Sequence, residues 1–144
     1  MDAIDRLAAA VATLGLDATR AGGGEWHVRL PSEARRTFGA VLRGAERTVT
    51  LTAFFIRTPD RNREAVCRRL LRRNLDLGDW RFAVDDHGDI YLRAVADGAT
   101  LDAGRLDELL GALVTLMDAA HGPLMELGFE VPPRATDPAA HAAG

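Results

Sequence analysis

The sequence predicts an α+β fold: a five-stranded antiparallel sheet with helices covering one face, in the order α-β-β-β-α-β-β-α. Three observations predict it. Helical periodicity marks both ends and the middle of the chain. Short runs with period-two alternation lie between those helices. The strands are joined by turns too short for a parallel crossover, so neighbours must pair antiparallel. At 144 residues, 47% hydrophobic and 27% charged, the chain is long enough to bury one core.

Ile4, Leu7, Ala8, Val11 and Leu14 recur at helical spacing, predicting a helix over residues 2–15. AGGGE (21–25) reads as a flexible break. EWHVRL (25–30) alternates strictly, with Trp26, Val28 and Leu30 on one side and Glu25, His27 and Arg29 on the other. A second strand follows over Thr37 to Arg43. The third, RTVTLTAFFIR (47–57), is rich in β-branched and aromatic residues. Its pattern sends Val49, Leu51, Ala53 and Phe55 inward, and Thr48, Thr50, Thr52, Phe54 and Ile56 outward. TPD (58–60) reads as a helix start capped by Thr58 or Asp60, with the helix running to about Leu75. Trp80, Phe82 and Val84 begin a fourth strand. Across the turn cluster DDHGD (85–89), Ile90, Leu92 and Ala94 form a fifth. A long helix covers about 102–121 and restarts after Gly122-Pro123, with Leu106, Leu110, Leu113, Met117, Ala120, Leu124 and Leu127 as its apolar stripe. Residues 1–131 read as one domain and 132–144 as a disordered tail, since VPPRATDPAAHAAG offers almost nothing to bury.

Charge is distributed in blocks. All 18 basic residues are Arg, against 21 acids. Residues 57–81 hold eight Arg and four acids, whereas residues 82–144 hold three Arg and eleven acids. On the helix after residue 58, Val66, Cys67, Leu70, Leu71 and Leu75 span one half of the circumference. Arg68, Arg69, Arg72 and Arg73 span the other, near the helix C-terminus where cations complement the dipole. The Arg face reads as a solvated or ion-paired surface that can steer an acidic partner or a second copy. Nucleic acid is disfavoured: the chain is acidic overall, and no aromatic residues interleave with the Arg to stack on bases.

The sequence offers no catalytic residue, no metal site and no cofactor motif. DDHGD lacks the spacing of a calcium loop, since the twelfth position from Asp85 is Ala96. The four histidines are scattered, and Cys67 reads as a buried thiol. AGGGE lacks the lysine of a phosphate loop. The N-terminus has no basic region before its apolar residues, which excludes a signal peptide. No apolar run reaches membrane length. A cytoplasmic location is therefore expected. Phe54, Ile56 and Tyr91 form an apolar corner on a mostly polar sheet face, the candidate contact for another protein.

FFIRTPDRNREAVCRRLLRRN, then WRFAVDDHGDIYLRA, then LDELLGALVTLMD together resemble the YbjN-domain family in its actinobacterial form. The shared pattern is a strand into R-x-P-D-x-N, a helix bearing LLRRN, a G-D-I/V-Y-L hairpin and an L-x-x-L-L helix, across about residues 24–130. Cys67 departs from the aromatic or aliphatic residue expected there, and LDLGDWRF is an altered helix-to-strand passage. The resemblance implies a fold similar to type III secretion chaperones, commonly dimers that hold a partly unfolded client. It brings no catalytic residues. The expectation is a non-enzymatic, homodimeric protein-binding domain, chaperone-like or a regulatory adaptor, with an unknown protein client. The alternatives are a nucleic-acid-associated regulator using the Arg face and an enzyme built on the acidic hairpin.

Overall fold

In the computed structural model, which describes residues 1–130, helix α1 (Ala3–Leu14) begins where the Asp2 carboxylate accepts the Asp5 backbone N–H at 2.8 Å. It ends at Gly15, whose left-handed backbone (φ 60) suits a residue with no Cβ. Four antiparallel strands follow: β1 (Asp17–Gly22), β2 (Glu25–Ser32), β3 (Arg36–Gly44) and β4 (Thr48–Ile56). Helix α2 (Arg63–Asn74), strands β5 (Arg81–Val84) and β6 (Ile90–Asp97), and helix α3 (Ala103–Gly128) complete the chain. The sheet order is β1-β2-β3-β4-β6-β5, antiparallel throughout.

The class is as expected, but the sheet has six strands rather than five. The additional strand β1, DATRAG, has one half-buried residue, Ala18, and no apolar alternation. It is held by its ladder to β2 and by Arg20 lying 5.6 Å over the Trp26 ring. AGGGE is therefore the turn of a hairpin, with all three glycines at positive φ.

Helix α3 does not restart at Gly122-Pro123. It runs unbroken to Gly128 with Pro123 inside it, on the solvent side, and Leu124 packed inward. The core lies between the sheet and the helices. Phe55, Leu42, Leu51, Leu92, Leu106, Leu113 and Met117 are among its fully buried side chains. The β2–β3 turn is tied to α3 by Asp118, whose carboxylate accepts the Ser32 hydroxyl at 2.6 Å and the Ala34 N–H. Those bonds hold Asp118 below the ordinary carboxylate range.

TPD is not a helix start. Asn62 occupies the N-cap of α2 in a left-handed conformation and makes no side-chain cap. Residues 60–62 instead satisfy the carbonyls left over at the end of α3. The backbone N–H groups of Asp60 and Arg61 donate to Gly128 O, the Arg61 guanidinium donates to Glu126 O and Phe129 O, and Asn62 donates to Leu127 O. Thr58 joins the DDHGD turn, donating its hydroxyl to His87 O and its backbone N–H to Asp89 at 2.8 Å. The R-x-P-D-x-N segment is thus a clasp between α3 and the β5–β6 hairpin. The expectation for residues 132–144 falls outside the described residues.

Candidate protein-binding surfaces

The outer sheet face carries no helix. Its register sets Arg29 opposite Gly39 on β2–β3 and aligns Phe54, Tyr91 and Ala83 across β4, β6 and β5, while the β3–β4 ladder between them ends at the Ala40–Ala53 pair. His27, Val41, Thr52, Arg93 and Arg81 form the next row across the sheet. Phe54 and Tyr91 meet edge to face, ring centroids 5.6 Å apart. The phenol of Tyr91 is pushed above its ordinary range, first by partial burial and then by Asp85.

Ile56 does not belong to this face. A β-bulge between Phe54 and Ile56 inserts one residue, so that Phe55 and Ile56 turn inward in succession and Ile56 is 2% exposed. The strict alternation read from the sequence ends at that bulge.

A second surface lies where α2 packs beside the edge strand β5. Helix α2 touches the core through Val66 and Leu70 only. Leu71 and Leu75, expected on its buried half, are 68% and 84% exposed, and Val84 beside them is 59% exposed. Cys67 is partly covered rather than buried. Cys67, Leu71 and Val84 line a groove with Leu70, Asn74, Phe82 and Ile90, and Leu75 stands exposed just beyond it. Arg68, Arg69 and Arg72 are exposed along the helix above it, and Arg73 is half-buried. Arg68 pairs with Glu64 at 3.2 Å, an exposed contact that contributes little.

The edge of β5 is closed at Phe82. The Asn74 side chain donates to Phe82 O at 3.1 Å and accepts the Phe82 N–H at 2.9 Å, taking the place of a neighbouring strand. A partner on this groove therefore meets side chains rather than free backbone at Phe82.

The acidic hairpin is a structural turn. Asp85 accepts the N–H groups of His87 and Asp89, and Asp89 accepts from Thr58. Gly88 has φ 84 and faces Thr58 closely. Among the described residues no group of three His, Cys, Asp or Glu side chains could hold a metal, and no helix is long and apolar enough to cross a membrane.

This arrangement of three helices on one face of an antiparallel sheet is the fold of type III secretion chaperones. The Yersinia pestis chaperone SycH, solved with a stable fragment of YscM2, superposes with a TM-score of 0.57 at 17% identity, covering 80% of this chain and 96% of that one. A chain of the ExsC–ExsE complex gives a TM-score of 0.61 at 20% identity, covering 86% and 97%. A chain of the heterodimeric ExoU–SpcU complex of Pseudomonas aeruginosa gives 0.55 at 20%, covering 82% and 93%. The chain belongs to the YbjN family, described as "Putative bacterial sensory transduction regulator", whose model matches residues 3–121. Uncharacterised proteins of Mycobacterium tuberculosis and Mycobacterium leprae are 39% and 38% identical over 102 residues, 71% of this chain. The chain spans about half the length of these curated relatives, 56% and 55%.

Proposed function

We propose that this protein is a non-enzymatic protein-binding module, chaperone-like or a regulatory adaptor, that works as a homodimer. The observation that carries the reading is the apolar groove of α2 and β5. Leu71 and Leu75, on a helix whose other residues are largely charged, and Val84 on β5 stand in water. Covering such side chains stabilises a contact by roughly 1.5–3 kcal/mol each. With Asn74 sealing the β5 edge at Phe82, the two copies join through these side chains rather than by extending the sheet. Arg68, Arg69, Arg72 and Arg73 steer acidic partners toward the same surface. The client is held on the outer sheet face, with Phe54 and Tyr91 as contact residues. The fold shared with secretion chaperones solved in complexes with other proteins supports this division, as does the use of the hairpin carboxylates in turn structure.

The test is the mass in solution by light scattering. Wild type is expected at twice the 15.5 kDa chain mass, and the double variant Leu71→Asp, Leu75→Asp at the chain mass with an unchanged far-UV spectrum. A wild-type monomer at high micromolar concentration sinks the homodimer, and an unaltered dimer in the variant sinks the groove.

A further inference from the structure

Gly39 stands in the middle of strand β3, and nothing inside the fold requires a glycine there. Its pairing with Arg29 is regular, without a bulge. Its backbone is not left-handed. A Cβ built on it would meet only Val28 O, at 3.9 Å. Gly44 and Gly98 differ: a Cβ there would strike the α1 backbone at 2.9 Å and the Ala3 side chain at 2.5 Å. Glycine weakens a strand interior, and where the fold does not explain it, it marks a place where another molecule approaches closely. Phe54, which lines the same depression just beyond the last β3–β4 pair, does not fill the gap, since no ring atom comes within 4 Å of that Cβ. The ring instead turns edge-on to Tyr91.

The result is an open depression of about 400 Å³ on the outer sheet face, floored by Gly39 and walled by Val41, Thr52, Phe54 and Tyr91. Its rim is basic. Arg35 reaches over it to Phe54 O at 3.3 Å. Arg29 and Arg93 make no ion pair among the described residues, although Asp17 stands across from Arg29. Glu25 is occupied by His27 at 3.1 Å and by Arg43.

We infer that this depression is a specificity notch: it seats one bulky apolar side chain of an extended client segment whose flanking residues are acidic. The apolar side chain enters over Gly39 against Phe54, and the flanking carboxylates meet Arg29, Arg35 and Arg93. The inference rests on the client face proposed above and adds the chemistry of what binds there.

The test is selection of a displayed random twelve-residue peptide library on wild type, then on Gly39→Val. Valine favours the strand, so the variant's thermal midpoint is expected to stay or rise, which separates lost binding from lost folding. Enriched peptides should carry several acids around one Leu, Ile or Phe, and should lose at least tenfold affinity on Gly39→Val. A double variant, Arg29→Glu with Arg93→Glu, should lose them as well. No enrichment, enriched peptides without acids, or peptides that bind Gly39→Val within twofold would overturn the notch. A changed mass of Gly39→Val in light scattering would also overturn it, by assigning the face to a second copy. The groove test with Leu71 and Leu75 is read separately, so failure of either site leaves the other standing.

Discussion

Replacing Asn74 by alanine removes two hydrogen bonds at once and opens a sheet edge. In the native protein its amide donates to Phe82 O at 3.1 Å and accepts the Phe82 N–H at 2.9 Å, so one side chain closes both backbone groups of that residue. Each bond contributes about 1 kcal/mol net. Neither Phe82 group has another strand to turn to, because β6 lies on the opposite side of β5. The loss is therefore about 2 kcal/mol, or roughly 6 °C in thermal midpoint for a chain of this size. Urea unfolding followed by circular dichroism reads it directly, with the slope unchanged. Asn74→Asp sharpens the case. It keeps an acceptor for the N–H but sets a carboxylate oxygen against the Phe82 carbonyl, so it should cost at least as much as alanine. The opened edge also becomes a template for strand pairing, so Asn74→Ala should self-associate more strongly as concentration rises. Wild-type stability in Asn74→Ala, or clearly smaller damage in Asn74→Asp, would refute this account of the edge.

The remaining predictions concern other parts of the fold. Gly98→Ala and Gly39→Val should move stability in opposite directions in urea unfolding. The first forces a Cβ to within 2.5 Å of Ala3 and 3.0 Å of the Arg47 backbone, costing about 1–3 kcal/mol. The second meets open space and should gain about 0.5–1 kcal/mol. Arg61→Ala should lose about 1–2 kcal/mol and raise hydrogen exchange over residues 124–129, because the last carbonyls of α3 lose their guanidinium donor. His121, edge-on to Phe55 at 5.8 Å, has its pKa lowered from 6.5, by burial first and Arg35 second. The unfolded chain then binds a proton more readily than the folded one, so stability is full above about pH 6.5 and falls as pH drops through the window beneath. His121→Phe should flatten that slope below about pH 6.5, as measured by thermal midpoints across pH.

Periodicity made most of the architecture legible before any coordinates. The inward faces of β2, β3 and β6, that of β4 as far as Phe55, and the α3 stripe from Leu106 to Leu124 are those the alternation and helical spacing mark, while Leu109 and Leu116 are buried beside that stripe and Leu127 is only half-buried. The outer-face register of Glu25, His27, Arg29, Arg81, Tyr91 and Arg93 with Thr50, Thr52 and Phe54 follows from the same period of two. What escaped the sequence is non-local. Strand β1 buries too little to show a pattern. The bulge that takes Ile56 inward has no mark in a uniformly β-branched and aromatic run. R-x-P-D-x-N resembles a helix start because Thr, Pro and Asp suit one, yet its donors serve carbonyls more than sixty residues away.

The two candidate surfaces were legible to different degrees. Phe54 and Tyr91 on one face could be read from alternation alone. The amphipathic pattern of α2 showed which side is apolar but not how much of it the domain covers. Val66 and Leu70 reach the core, and Leu71 and Leu75 lie one step further round the helix, past the edge of the sheet. Gly39 carries no signal in a single sequence, because the absence of a side chain matters only once its neighbours are seen to leave the space empty.

The central claim is that the protein acts by holding another protein on its outer sheet face. Affinity capture from native-host lysate, run side by side with wild type and Phe54→Asp, tests it most directly. The account predicts one dominant co-purifying protein in fixed proportion to the wild-type bait, lost from Phe54→Asp while the variant keeps its fold and its mass. A clean wild-type preparation, or the same partner retained by Phe54→Asp, would contradict it.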